Sequence, residues 1–253
     1  MIRTARIFAP KRRTLRPRRL SLSQLVALLA VPAVLLILAV LYVIVVAIQG
    51  RPFLYVSERM RSTDESFRLF KIRTMRPVDG DADQSVLCGF QSRRVTRIGG
   101  VLRRTRLDEL PQIFNVLKGD IRFIGPRPPL RRYVKAYPEL YGQILGDMPP
   151  GITGLATVIV HRREERLLAA CKDPVEADRV YRERCIPLKA RLDLIYQRNR
   201  GPRLDALILL RTFTRLAARK TRRGISPVSG TRPPRPIVAD LPAVISRPAR
   251  EAA

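Results

Sequence analysis

The sequence predicts an α+β fold that is mostly helical and associated with a membrane. Three observations carry this reading: an uncharged apolar run over residues 21–50, later segments whose apolar residues recur at helical spacing, and a few short alternating or β-branched runs. Composition divides the 253-residue chain into a basic extension over 1–20, the apolar segment over 21–50, a domain over 51–217 and a tail over 218–253. The tail is basic and proline-rich without a sustained period, so it is expected to be disordered.

The chain carries 49 Lys and Arg against 21 Asp and Glu, a formal charge of +28. Such a field attracts polyanions or anionic lipid headgroups, and phosphate in some chemical form is the expected partner. Hydrophobic residues make up 46% of the chain, enough for a real core, although many lie in the apolar segment. Cys88, Cys171 and Cys185 are far apart and form no C-x-x-C pair, which argues against a disulfide framework or a zinc site and for a reducing setting.

The apolar segment, SLSQLVALLAVPAVLLILAVLYVIVVAIQG, is long enough to cross a bilayer, for which about 20 apolar residues suffice. It is too long for the core of a cleavable signal peptide and no small-x-small site closes it. Lys and Arg flank it on both sides, so both flanks are drawn to the cytoplasm and the positive-inside rule gives no single orientation. Residues 21–31 would rise about 16 Å as a helix, roughly half the hydrocarbon thickness, before Pro32 interrupts the ladder. A helix-break-helix hairpin and a single kinked span both remain open on these features.

Residues 52–76 read as short strand or loop segments, with Phe67, Leu69 and Ile72 alternating with basic residues in FRLFKIRTM, and 79–84 (DGDADQ) as a polar loop. Ile98, Val101 and Leu102 mark a helix, which breaks before a second one that starts near Leu110 and stops at Lys118-Gly119. PPGITGLATVIV reads as a turn leading into a short β-branched run. Residues 174–197 read as helical. Residues 202–219 form a further helix whose stripe of Leu204, Leu207, Ile208, Leu210, Phe213 and Leu216 opposes Arg211, Arg215 and Arg219, a pattern shared by interfacial and core-packed helices.

Candidate chemistry concentrates in RRTRLDELPQIFNVLKGDIRFIGPRPP, residues 103–129. Thr105-x-x-Asp108 has the spacing of a helix cap. Asp108 and Glu109, about 100° apart on a helix, cannot both cap, which allows one carboxylate to face a reacting centre while the other meets a metal or a basic group. Arg103, Arg104 and Arg106 stand beside them and can hold carboxylates ionised. Arg127, between prolines, is projected from a stiff loop suited to bidentate phosphate contact. The lone His161 is read as incidental, and no G-x-S-x-G, P-loop or HExxH is present.

FKIRTM, RVTRIGGVLRRTRLDELPQIFNVLKGDIRFIGPRPPL and PPGITGL, in this order, resemble the bacterial sugar transferases, monotopic polyprenyl-phosphate phosphoglycosyltransferases of the small single-domain type, over roughly 21–214. The resemblance implies a catalytic domain on the cytoplasmic face of the bacterial inner membrane, held by a re-entrant hairpin broken at Pro32 and by interfacial amphipathic helices. It implies transfer of a sugar phosphate from a UDP-sugar to polyprenyl phosphate, with Mg²⁺ and release of UMP. Asp108 would be the nucleophile and Glu109 its acidic partner. Arg103, Arg127, Lys71 and Arg73 would grip phosphates, and Asp108, Glu109 and, more weakly, Asp193 would serve the metal. Membrane lipids are implied partners, and downstream glycosyltransferases remain open as others. The chain departs from the family pattern at RLSLSQ, at Val31-Pro32 where Ser-Pro is common, and at Arg122.

The rival reading is a membrane-tethered basic protein that holds nucleic acid or anionic lipid. Only 6% aromatic residues, no Trp and no helix-turn-helix argue against nucleic acid, and a polyanion binder gains nothing from a carboxylate pair at 108–109. The identity of the sugar is not legible.

Overall fold

The computed structural model describes residues 21–76, 94–146 and 148–221. The basic extension over 1–20, the loop at 79–84, Cys88, the tail beyond 221 and the side chains of Phe213 and Leu216 lie outside the described residues.

The apolar segment is one α-helix, α1 (Leu22–Gln49), opened by a capping box in which the Ser21 hydroxyl and the Gln24 side chain each accept from the other's backbone N–H. The expected break is not there: the helix runs through Pro32. A proline removes only one backbone donor, and packing on both sides of it holds the helix together. Ala27, Val31 and Val34 dock on one apolar cluster, and Val34, Leu38, Leu41 and Val45 on the next. These contacts advance by four and three residues, the 3.5-residue seam of one helix face. Leu22, Leu29, Leu36, Val43 and Ile48 point away from the domain and stay exposed.

Two strands follow, β1 (Leu54–Met60) and β2 (Ser66–Ile72), paired antiparallel with Leu54 opposite Ile72. Alternation puts Phe67 and Leu69 on the inner face, and Lys71 shares their parity, which turns its amine inward. Next come α2 (Arg97–Thr105), a 3₁₀ turn (Leu107–Glu109) and α3 (Gln112–Lys118), which Gly119 ends in the left-handed conformation at φ 78°. The buried Asn115 ties α3 to β2, accepting from the N–H of Phe70 and donating to the carbonyl of Arg68.

β3 (Arg122–Ile124) pairs in parallel with β4 (Gly151–Thr153), and α4 (Arg131–Ala136) and α5 (Pro138–Leu145) lie in the crossover between them. GPRPP and PPGITG meet backbone to backbone: a Cβ on Gly151 would lie 2.2 Å from the nitrogen of Gly125, and one on Gly154 2.2 Å from its oxygen. The β-branched run after PPGITG is not a strand. It opens α6 (Leu155–Ala169), burying Ala156, Val158 and Val160, because packing on the helices over Ile186–Asn199 and Pro202–Thr221 outweighs β propensity. The helical stretch from 174 is α7 (Pro174–Val180), a π turn (Tyr181–Cys185) and α8 (Ile186–Asn199). Pro187 sits just after the π turn and supplies no N–H, so the ladder changes register there. The last helix, α9 (Pro202–Thr221), buries Ile208 and leaves Leu207 and Leu210 exposed, and it runs past the boundary placed at 217.

Candidate active site

α2 ends at Arg106, whose φ of 61° and ψ of 14° place a non-glycine residue in the left-handed region. That conformation costs on the order of 1 kcal/mol and recurs at functional sites. It reverses the chain so that the next turn carries Asp108 and Glu109 inward, and both are buried. The spacing at Thr105 does not make a cap: its hydroxyl donates back to the carbonyls of Val101 and Leu102.

Three cations converge on Oε1 of Glu109: Lys71 Nζ at 3.2 Å from β2, Arg106 Nη1 at 3.2 Å from the turn, and Arg127 Nη2 at 2.8 Å from the GPRPP loop. Arg127 Nη1 also donates to the carbonyl of Ile152, so the PPGITG loop helps aim it. Burial pushes the Glu109 carboxyl up, but Arg127, Lys71 and Arg106 outweigh it and hold the group well below the usual carboxylate range. Asp108 is shifted the other way. Burial and then the Glu109 charge raise it, against Lys71, Arg106 and Arg103, and its Oδ1 is buried with no hydrogen-bond partner among the described residues. Lys71 is lowered by burial, with Glu109 opposing.

Arg103 lies near Asp108 on α2 and donates from Nε to the Thr74 hydroxyl. Arg73 does not join the pair. Its Nη2 donates to the carbonyls of Gln49 and Gly50 at 2.7 and 2.6 Å, satisfying the carbonyl end of α1 where a guanidinium also meets the negative end of the helix dipole. Asp193 is separate as well. It is buried on α8 and raised to about 7 by burial, against the charge of Lys189, which pairs with Glu164 and Tyr181. Among the described residues no group of three metal-capable side chains is gathered, so the expected set of Asp108, Glu109 and Asp193 is not assembled. Arg106 was visible in sequence only as one of a cluster. His161 lies on α6 with Nε2 3.3 Å from Glu165, away from the pair. Cys171 and Cys185 are free cysteines.

A helix long and apolar enough to cross a membrane is docked on an α+β domain whose acidic pair sits among inward-facing cations. Residues 19–219 match the bacterial sugar transferase family, and the chain belongs to it. It is similar to the UDP-N-acetylgalactosamine-undecaprenyl-phosphate N-acetylgalactosaminephosphotransferase of Aeromonas hydrophila, 34% identical over 53% of this chain and 32% of that protein. It also resembles the UDP-glucose:undecaprenyl-phosphate glucose-1-phosphate transferase of Xanthomonas campestris pv. campestris, 33% identical over 67% of this chain and 32% of that one. The uncharacterized sugar transferase EpsL of Bacillus subtilis (strain 168) is 37% identical over 43% of this chain and 52% of its own length. The matched part is thus a third to a half of these relatives.

Proposed function

We propose that the protein transfers a sugar phosphate from a UDP-sugar to polyprenyl (undecaprenyl) phosphate, releasing UMP, as an initiating step of bacterial polysaccharide or glycoconjugate synthesis. The relatives' names supply the substrate class. The observation that carries the chemistry is the contrast within the pair: Glu109 Oε1 accepts from three cations, while Asp108 Oδ1 has no partner among the described residues. An oxygen already bonded three times is a poor nucleophile, and an unpartnered one is free to attack.

In this reading an Asp108 oxygen attacks the phosphorus next to the sugar, the bond from that phosphorus to the UMP oxygen breaks, and UMP leaves. The phosphosugar-aspartyl acyl phosphate is then attacked at phosphorus by a phosphate oxygen of the polyprenyl phosphate, which takes the sugar phosphate and returns the Asp108 carboxylate. Arg127, Lys71, Arg106 and Arg103 surround the pair and can shift part of their hydrogen bonding to the phosphate oxygens. The carboxylates of Asp108 and Glu109 would hold Mg²⁺ together with substrate phosphates, leaving one Asp108 oxygen for attack, and the ion when bound would supply charge neutralisation. A polyanion binder would place no carboxylates at the centre of its cations.

Both ends of α1 bond to the same domain: Gln24 Nε2 donates to the carbonyl of Leu117, and Gln49 Nε2 to that of Arg73. This supports a re-entrant or in-plane membrane helix, with the domain and both flanks on the cytoplasmic face. The exposed apolar face then lies in lipid.

The test is UMP release by the full chain in detergent, with Mg²⁺, undecaprenyl phosphate and a panel of UDP-sugars. Asp108→Asn is expected to lower the rate by about 10³-fold or more. Incubation with the accepted donor alone should leave a sugar-phosphate adduct on Asp108 by mass spectrometry. Activity retained by Asp108→Asn would overturn the assignment.

A further inference from the structure

We infer that Gln49, the last residue of the apolar helix, is a positioning residue that sets the cations around Glu109. Its carboxamide makes two bonds to two different arms of the site. Nε2 donates to the carbonyl of Arg73 at 2.6 Å, and Oε1 accepts from the Thr96 hydroxyl at 2.9 Å. The Arg73 guanidinium answers by donating to the Gln49 and Gly50 carbonyls, so the helix end and the strand end hold each other reciprocally.

Each arm leads to a cation on the same carboxylate oxygen. Arg73 directly follows β2, two residues beyond Lys71, and Lys71 Nζ reaches Glu109 Oε1 at 3.2 Å. Thr96 caps α2, accepting from the N–H of Gly99 at 2.9 Å, and α2 ends at Arg106, whose Nη1 reaches the same Oε1 at 3.2 Å. A cross-tie joins the arms: the Thr96 N–H donates to the carbonyl of Thr74, and Arg103 Nε donates to the Thr74 hydroxyl. Arg127, the third cation, comes from the GPRPP loop and is independent of Gln49.

An amide at the end of a lipid-facing helix is costly unless bonded, so once α1 is seated both contacts are enforced. Seating of the helix thereby fixes the separation of Lys71 and Arg106. Gln24 is the internal control: it anchors the other end of α1 through Leu117 and touches neither arm.

The effect on catalysis rests on the proposed transfer, but the effect on Lys71 does not. Lys71 is only 18% exposed. The full chain, without substrate, is treated with a small amine-reactive reagent and Lys71 modification is read by mass spectrometry. Gln49→Leu, which keeps the volume and removes both bonds, is expected to raise modification about fivefold or more by local opening, and Gln24→Leu to leave it within about twofold of the parent. In the UMP assay, Gln49→Leu should lower kcat about 10-fold or more with donor KM within about threefold, as misplacement without lost binding predicts. Equal Lys71 modification in parent, Gln24→Leu and Gln49→Leu would overturn the inference whatever the activity. If no donor were turned over by any version, the transferase reading would fail while the labelling still decided this one.

Discussion

Asp108 and Glu109 are adjacent in the chain and opposite in their electrostatics, which makes their effects on stability separable. Glu109 is depressed in the folded protein, so its ionised form stabilises the fold above its unfolded value of about 4.3, and that contribution is lost as the pH falls below it. Asp108 is raised, so its contribution is present below about 3.9 and is lost as the pH climbs through the folded value. Glu109→Gln leaves three cations without their common anion and is expected to cost roughly 2–4 kcal/mol at pH 7. Asp108→Asn removes a carboxyl whose ionised form is disfavoured by burial and the Glu109 charge, and it is expected to be at least as stable as the parent at pH 7, while inactive. Denaturant titrations at pH 7 and 4.5 check both: the advantage of Asp108→Asn should shrink toward acid, and the deficit of Glu109→Gln should largely persist until the pH drops below about 4.3. A clear loss of stability in Asp108→Asn would mean that Asp108 has a structural partner. The pair and Arg127 were legible in sequence because a stiff proline loop and adjacent carboxylates are local signals. Arg73 was not, because its partner is the carbonyl end of a helix more than twenty residues upstream, and no local pattern shows that.

RIGG, too short to be a nucleotide fingerprint, has a structural meaning that separates its two glycines. A Cβ on Gly99 would lie 2.0 Å from the backbone oxygen of Thr74, whereas one on Gly100 meets nothing nearer than 4.0 Å. Gly99 allows α2 to start directly against the chain that follows β2, which brings Arg103 and Arg106 to the acidic pair. Gly99→Ala is therefore expected to destabilise by about 2–3 kcal/mol and to impair transfer, and Gly100→Ala to stabilise by roughly 0.5–1 kcal/mol through helix propensity alone. Thermal melts of the two variants should move in opposite directions; a Gly99→Ala melt at or above that of the parent would refute the close approach at Gly99. The same contrast explains which elements could be read. β2, α2 and the stop of α3 at Gly119 follow from alternation, helical spacing and a left-handed glycine, all of which are local. The run after PPGITG reads as a strand because Thr157, Val158, Ile159 and Val160 are β-branched, and only its burial against neighbouring helices makes it α6. The 3₁₀ turn that presents the carboxylates depends on one left-handed arginine, a conformation that composition does not announce.

A segment long and apolar enough to cross a membrane was visible at once, but the partition of α1 between an exposed face and a face docked on protein was not. A helix apolar all round has no periodicity from which to read a buried face, so the seam from Ala27 to Val45 emerges only from its contacts. Those contacts, with Gln24 and Gln49 at the two ends, hold one domain along the helix. A helix crossing the bilayer upright would carry one of its ends to the far side, away from the domain that both ends touch. The charge distribution points the same way, since Lys and Arg flank the segment on both sides of a chain with formal charge +28, and the positive-inside rule disfavours carrying either flank across a bilayer. Cysteine substitutions at Leu15, before the helix, and at Glu65, in the exposed turn after β1, are therefore both expected to resist a membrane-impermeant thiol reagent in intact cells and to react after lysis. The native cysteines are replaced by serine for this measurement, with activity checked. Reaction of one site in intact cells would show that the helix spans, and the bonds at Gln24 and Gln49 could then not both form in the membrane.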